Sequence, residues 1–219
     1  MAAAKAAPGE EFAAEKGAVR LFVWRKRKPG AGSARAPVML LVHGSSLSAL
    51  PTFDLAVPDR PNYSMMEWFA ERGFDVWTFD HEGYGRSTIT AGNSDVACGV
   101  EDLKAVTALI QLWVSYLALA VTALIARETG QGAMMLYGLS SGALRAAAFA
   151  AACPERVERL ALDGFVWTGE GSPTLAKRRE GAAFFRAHTR RPLDKTFIAT
   201  LFPRAKEGTS EPALINAWT

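Results

Sequence analysis

The sequence predicts an α/β fold: a mostly parallel sheet with flanking helices, followed by a helical segment. Three observations carry this. Short apolar runs at residues 37–42, 74–79 and 134–139 have the composition of strands buried on both faces. Helical patterns alternate with those runs, which is the arrangement that builds a parallel sheet. The third run feeds Gly138-Leu139-Ser140-Ser141-Gly142 and then an alanine-rich stretch, giving strand, sharp turn and helix in immediate succession.

Taken in order, residues 1–17 read as a flexible leader without the apolar centre of a signal peptide. Residues 19–25 alternate apolar and polar side chains and predict a half-exposed strand. Pro29, Gly30 and Gly32 mark a surface turn. The strand at 37–42 ends in His43-Gly44-Ser45, and residues 47–63, with three prolines, predict a long loop. Ser64 followed by Glu67 is a capping box that opens a helix ending at Gly73. The strand at 74–79 leads into Asp80-His81-Glu82-Gly83-Tyr84-Gly85-Arg86-Ser87. A long helix is expected over 100–129, and a strand over 157–163 after Pro154. The core thus spans 18–163, and residues 164–219 predict a helical lid.

Within the long helix, Ala105-Val106-Thr107-Ala108-Leu109-Ile110 recurs unchanged as Ala120-Val121-Thr122-Ala123-Leu124-Ile125. This pattern predicts an insertion with duplicated edges. The charge-free stretch between Lys104 and Arg127 is as long as a membrane span, yet strands on both sides of it must pair in one sheet. A membrane span is therefore not expected, although an exposed apolar face invites self-association.

The chain has 219 residues, 49% hydrophobic and 21% charged, and a formal charge of +3, too small to indicate a nucleic-acid partner. Residues 164–219 hold 9 Lys/Arg against 5 Asp/Glu, so the basic excess is local and reads as a solvated surface. Cys98 and Cys153 form neither a disulfide framework nor a metal-ligand spacing. No metal or cofactor is expected, and a reducing cytoplasm is the expected setting.

Taken together, Val42-His43-Gly44-Ser45, Asp80-x-x-Gly83-x-Gly85-x-Ser87 and the Gly138–Gly142 turn resemble the α/β-hydrolase superfamily over residues 18–165. The resemblance implies Ser140 as nucleophile on an elbow, with the backbone N–H groups of Ser45 and Ser141 as the oxyanion hole. A serine there implies acyl transfer through a covalent acyl-enzyme on a small-molecule acyl substrate; relatives that open epoxides carry aspartate instead. The family order of serine, acid, histidine offers Asp163 as acid, with Glu170 as the second candidate, and His188 as base. His43 belongs to the oxyanion turn as a brace, and His81 is expected to line the substrate pocket. The resemblance also implies that the chain stops before the last strands, leaving the 157–163 strand as an edge open to self-association or to completion by a second chain. A catalytically idle relative that binds a partner or a membrane surface through the long apolar helix is the alternative reading.

Overall fold

A computed structural model of the chain describes residues 8–28, 36–58, 60, 63–90, 96–121, 133–165, 170–188 and 194–200, with residues 213 and 217. Six strands form one sheet in the order β1-β2-β4-β3-β5-β6. They are β1 (Gly9–Lys16), β2 (Val19–Lys26), β3 (Val38–Val42), β4 (Asp75–Phe79), β5 (Met134–Leu139) and β6 (Val157–Asp163). β1 pairs with β2, and β2 with β4, antiparallel; β4, β3, β5 and β6 are mutually parallel.

The helices lie on two faces. α3 (Val96–Val121) and α4 (Ser141–Ala152) cover one, where Leu103, Val106, Ala146 and Phe149 pack on Leu40, Val42, Trp77 and Leu136. α1 (Ala49–Phe53) and α2 (Met65–Glu71) cover the other, burying Phe53, Met66 and Ala70 against Met39, Leu41 and Val76. These two faces explain why the parallel strands read as unbroken apolar runs. The first half of the capping box is present, since Ser64 Oγ accepts from the Glu67 N–H at 2.9 Å. Gly73, at φ 88°, ends that helix.

Three expectations change. The leader contains β1, because Phe12 and Ala14 alternate inward among charged neighbours and Gly17, at φ 60°, permits a two-residue hairpin to β2. β2 is not half-exposed: with strands on both sides it buries Leu21, Phe22, Val23 and even Arg25. Arg25 is tolerated there because its Nε and Nη2 reach the Asp75 carboxylate at 2.7 and 2.6 Å and its guanidinium stacks on Trp77. The loop at 47–63 contains α1, whose Pro51 falls in the first turn, where a missing N–H costs nothing.

α3 begins four residues earlier than expected and is about 39 Å long through Val121 at 1.5 Å per residue. The end expected at Thr129, and residues 122–125 of the repeat, lie outside the described residues. No helix among the described residues is long and apolar enough to cross a membrane. Beyond β6 the described residues include the short helices α5 (Pro173–Glu180), α6 (Ala182–Ala187) and α7 (Lys195–Thr200). β6 is an edge strand, exposed along most of its length, with Leu160 and Leu162 open to solvent.

Candidate active site

β5 delivers the chain to Ser140 at φ 57° and ψ −119°, and among the described residues no other non-glycine side chain stands at positive φ. Such a conformation costs on the order of 1–3 kcal/mol and persists only where its surroundings impose it. They do so here from both sides. The Ser140 N–H donates to the Asp163 carbonyl at 2.8 Å, and the Ser140 carbonyl accepts from Ala143 N–H at 3.0 Å as α4 begins. The flanking glycines allow the packing: a Cβ on Gly142 would lie 2.3 Å from the Val42 carbonyl oxygen, and one on Gly138 would lie 2.7 Å from Ala143 Cα.

The His-Gly turn after β3 lies directly against the serine. A Cβ on Gly44 would stand 3.2 Å from Ser140 Cβ and 3.6 Å from its Oγ. Neither the Ser45 N–H nor the Ser141 N–H has a hydrogen-bond partner among the described residues, and Ser141, as the first residue of α4, has none within its helix. His43 is fully buried and braces this turn. Its Nε2 accepts from the His81 N–H at 3.1 Å, which places its proton on Nδ1, 2.6 Å from the Gly44 carbonyl. Burial first, and the Arg145 charge second, push its pKa down to about 3.

The Asp80 motif is a backbone clamp. Asp80 Oδ1 accepts from Ala49 N–H at 2.7 Å and Oδ2 from Arg86 N–H at 2.9 Å. Ser87 Oγ donates to the Asp80 carbonyl at 2.6 Å and accepts from Phe22 N–H at 2.9 Å, tying the loop to β2. A Cβ on Gly85 would fall 2.0 Å from Asp80 Oδ2. His81, expected at the pocket, is 1% exposed, with Nδ1 3.0 Å from Asp102 Oδ2. It is packed behind the loop, between Phe79 and His43, because the tight turn closed by Tyr84 N–H on the His81 carbonyl points it inward.

Asp163 ends β6 beside Ser140, and its carboxylate accepts a short hydrogen bond from the Tyr137 hydroxyl of β5. Burial, and then that bond, raise the phenol's pKa. Tyr137 was not anticipated, although its position one residue before Gly138 is readable. Glu170 is exposed. His188, expected as base, sits at the end of α6 with Nδ1 3.0 Å from the Phe184 carbonyl and its ring stacked on Phe184 at 4.3 Å. Ser140 and Asp163 are therefore brought together, but no imidazole contacts either of them among the described residues.

A charged cluster that the sequence did not reveal lies behind His81. Lys16 of β1 reaches Asp102 Oδ1 at 2.5 Å and also pairs with Glu82. Burial opposes its charge, but the two carboxylates outweigh that and raise its pKa. Cys98 Sγ lies 3.6 Å from Glu82 Oε2, and burial, with Asp102, pushes its thiol up to about 11. Glu82, Cys98 and Asp102 place three ligand-type atoms within 4.8 Å of one another, but the Lys16 ammonium already supplies the positive charge there.

No curated protein matches the chain. Among solved structures it is similar to a hydrolase from Pseudomonas aeruginosa, at 19% identity and a TM-score of 0.62 over 96% of this chain and 65% of that one. It is similar also to a thioesterase domain from the curacin biosynthetic pathway, at 19% identity and a TM-score of 0.58 over 96% of this chain and 64% of that one. A carboxylesterase from Bacillus subtilis matches at 17% identity and a TM-score of 0.58, over 96% and 60%. At these identities the likeness is one of fold, and the chain spans less than two thirds of the length of each. The model of the family described as serine aminopeptidase, S33, matches residues 62–189, more than half of the sequence. The chain belongs to that family, and its fold is that of the α/β-hydrolases.

Proposed function

We propose that the chain is a serine hydrolase that cleaves an ester or related acyl bond through a covalent acyl-enzyme, with Ser140 as nucleophile. One observation carries the reading: Ser140 alone among the described non-glycine residues is held at positive φ, at the start of α4 and against the Gly44 turn. The N–H groups of Ser45 and Ser141 supply the oxyanion hole: neither is engaged among the described residues, Ser141 follows the serine directly, and Ser45 follows the Gly44 turn that packs against it. Removing one such donor typically costs a hundredfold or more in rate. Asp163, fixed by Tyr137, is the acid. The base is not assigned within the described residues, so turnover by this chain alone is expected to be low. Exposed β6 is proposed as the edge where self-association, or completion by a second chain, takes place.

A fluorophosphonate probe tests the reading, because only an activated serine reacts rapidly. Labelling of the full chain that is lost in Ser140→Ala is the expected result, and His188→Ala should label like the parent. The second reading, a catalytically idle hydrolase-fold protein that binds a partner or membrane surface, is favoured by the lack of an imidazole hydrogen-bonded to Ser140 among the described residues. Failure to label under any condition would select it.

A further inference from the structure

Three buried polar atoms behind the elbow have no hydrogen-bond partner among the described residues: Arg145 Nη1, His81 Nε2 and Ser141 Oγ, on residues that are 3%, 1% and 8% exposed. They come from α4 and from the loop after β4, two parts of the chain that both pack against α3. Ser141 and Arg145 lie one turn apart on the same face of α4. The Arg145 stem rests on Gly99 of α3, where an added Cβ would be 2.5 Å from Arg145 Cδ. One turn further along α3, Asp102 holds the His81 ring. The Tyr84 ring closes the group, with its centroid 5.8 Å from the guanidinium carbon and 4.9 Å from the His43 ring.

The charge balance of this cluster is unusual. Among the described residues Arg145 forms no ion pair, whereas Arg25, equally buried, is matched by Asp75. A guanidinium does not shed its proton to escape burial, and a buried charge without a counter-charge is costly. Asp102 does not supply the counter-charge, because its oxygens are taken by Lys16, His81 and the Glu82 N–H.

We propose that Arg145, Ser141 and His81 form a buried receptor for one small monovalent anion of halide size. Arg145 Nη1 and the Ser141 hydroxyl donate to it. His81 takes a proton from solvent at Nε2 as the anion enters, keeping its Nδ1–H on Asp102, so that the anion meets Arg145 and a protonated His81 while Asp102 stays paired with Lys16. The groups facing His81 are Asp102 of α3, Arg145 of α4, His43 of the turn after β3 and Lys16 of β1, with Glu82 and Cys98 beyond Lys16. Burial first, and then the Arg145 charge, oppose that proton and the anion offsets them, so binding tightens as the pH falls. The site lies behind Ser141, on the side of α4 that faces α3.

Crystals of the full chain grown or soaked in sodium bromide test this directly. An anomalous peak in contact with Arg145 Nη1 is expected; bromide only on the surface, or none, overturns the proposal in favour of a buried water. In solution, the melting temperature should rise with the logarithm of chloride concentration at constant ionic strength, gluconate replacing chloride. The rise should grow as the pH is lowered, and Arg145→Met should abolish it. Identical melting in the two salts overturns the proposal. If Arg145→Met does not fold, the bromide peak in the parent protein decides. Neither readout depends on hydrolysis, so failure here and failure of Ser140 to label are separate results.

Discussion

His43 and His81 are held neutral inside the protein, and this fixes how the fold responds to acid. The His43 pKa is pushed from 6.5 down to about 3 by burial and then by Arg145, and His81 is lowered by the same two causes. Between those values the unfolded chain binds more protons than the folded one. The stability contributed is therefore complete above about pH 6.5 and is lost as the pH falls, by up to about 1.4 kcal/mol per unit per group. Glu82, whose pKa Lys16 and Thr90 lower against the effect of burial, acts in the same direction at lower pH. Asp80, raised by burial, acts in the opposite sense around the ordinary carboxylate range. Urea melts at pH 7.5, 5.5 and 4.5 should show midpoints falling steadily; a flat profile would contradict neutral buried imidazoles. At this scale the motif glycines and Ser140 were legible, since their spacing is local. The inward turn of His81 was not, because it depends on Asp102, twenty-one residues away on another element.

The elbow depends on a helix meeting a turn almost atom to atom. With 2.3 Å between a hypothetical Gly142 Cβ and the Val42 oxygen, Gly142→Ala must push α4 off β3. The expected cost is roughly 3 kcal/mol, at the upper end for overpacking, and urea denaturation of the variant reads it. Fluorophosphonate labelling should fall even in the folded fraction, because the same shift moves the Ser141 N–H. A loss below about 0.5 kcal/mol would mean that the contact relaxes freely, as at an ordinary surface site. Strands at the sheet centre were legible as apolar runs. β1 was not, because its apolar face amounts to Phe12 and Ala14 and the rest of the strand is charged or small. β2 was misjudged for a related reason: alternation describes a strand with one wet face, and an Arg at an inward position imitates it until Asp75 is known to face it.

The whole sheet has unequal edges. β1 closes one edge behind a two-residue hairpin, while β6 ends the other with Leu160, Leu162 and nearby Phe165 exposed. An edge of this kind offers unpaired backbone groups and apolar side chains together. If β6 pairs with a second copy, sedimentation should show concentration-dependent association of the parent chain. Leu160→Lys with Leu162→Lys should shift it toward monomer while leaving thermal stability within about 0.5 kcal/mol, as for exposed positions. A parent chain monomeric at every concentration would remove the idea. The alternation of strands and helices made the overall architecture readable in the sequence. The charged cluster of Lys16, Glu82 and Asp102 was not, since it joins the first strand to a loop and a helix far along the chain.

The strand order also sets a sequence of events. β3 stands between β4 and β5, and its register with β5 matches Met39 to Met135 and Val42 to Gly138, partners far apart in the chain. Contacts that distant close slowly, because the intervening loop entropy must be overcome before any pairing is gained. The hairpin of β1 and β2 and the β3–β4 crossover are more local and assemble sooner. The left-handed backbone of Ser140, imposed only when β5 slots beside β3 and β6 beside β5, is thus among the last geometries the folding chain acquires.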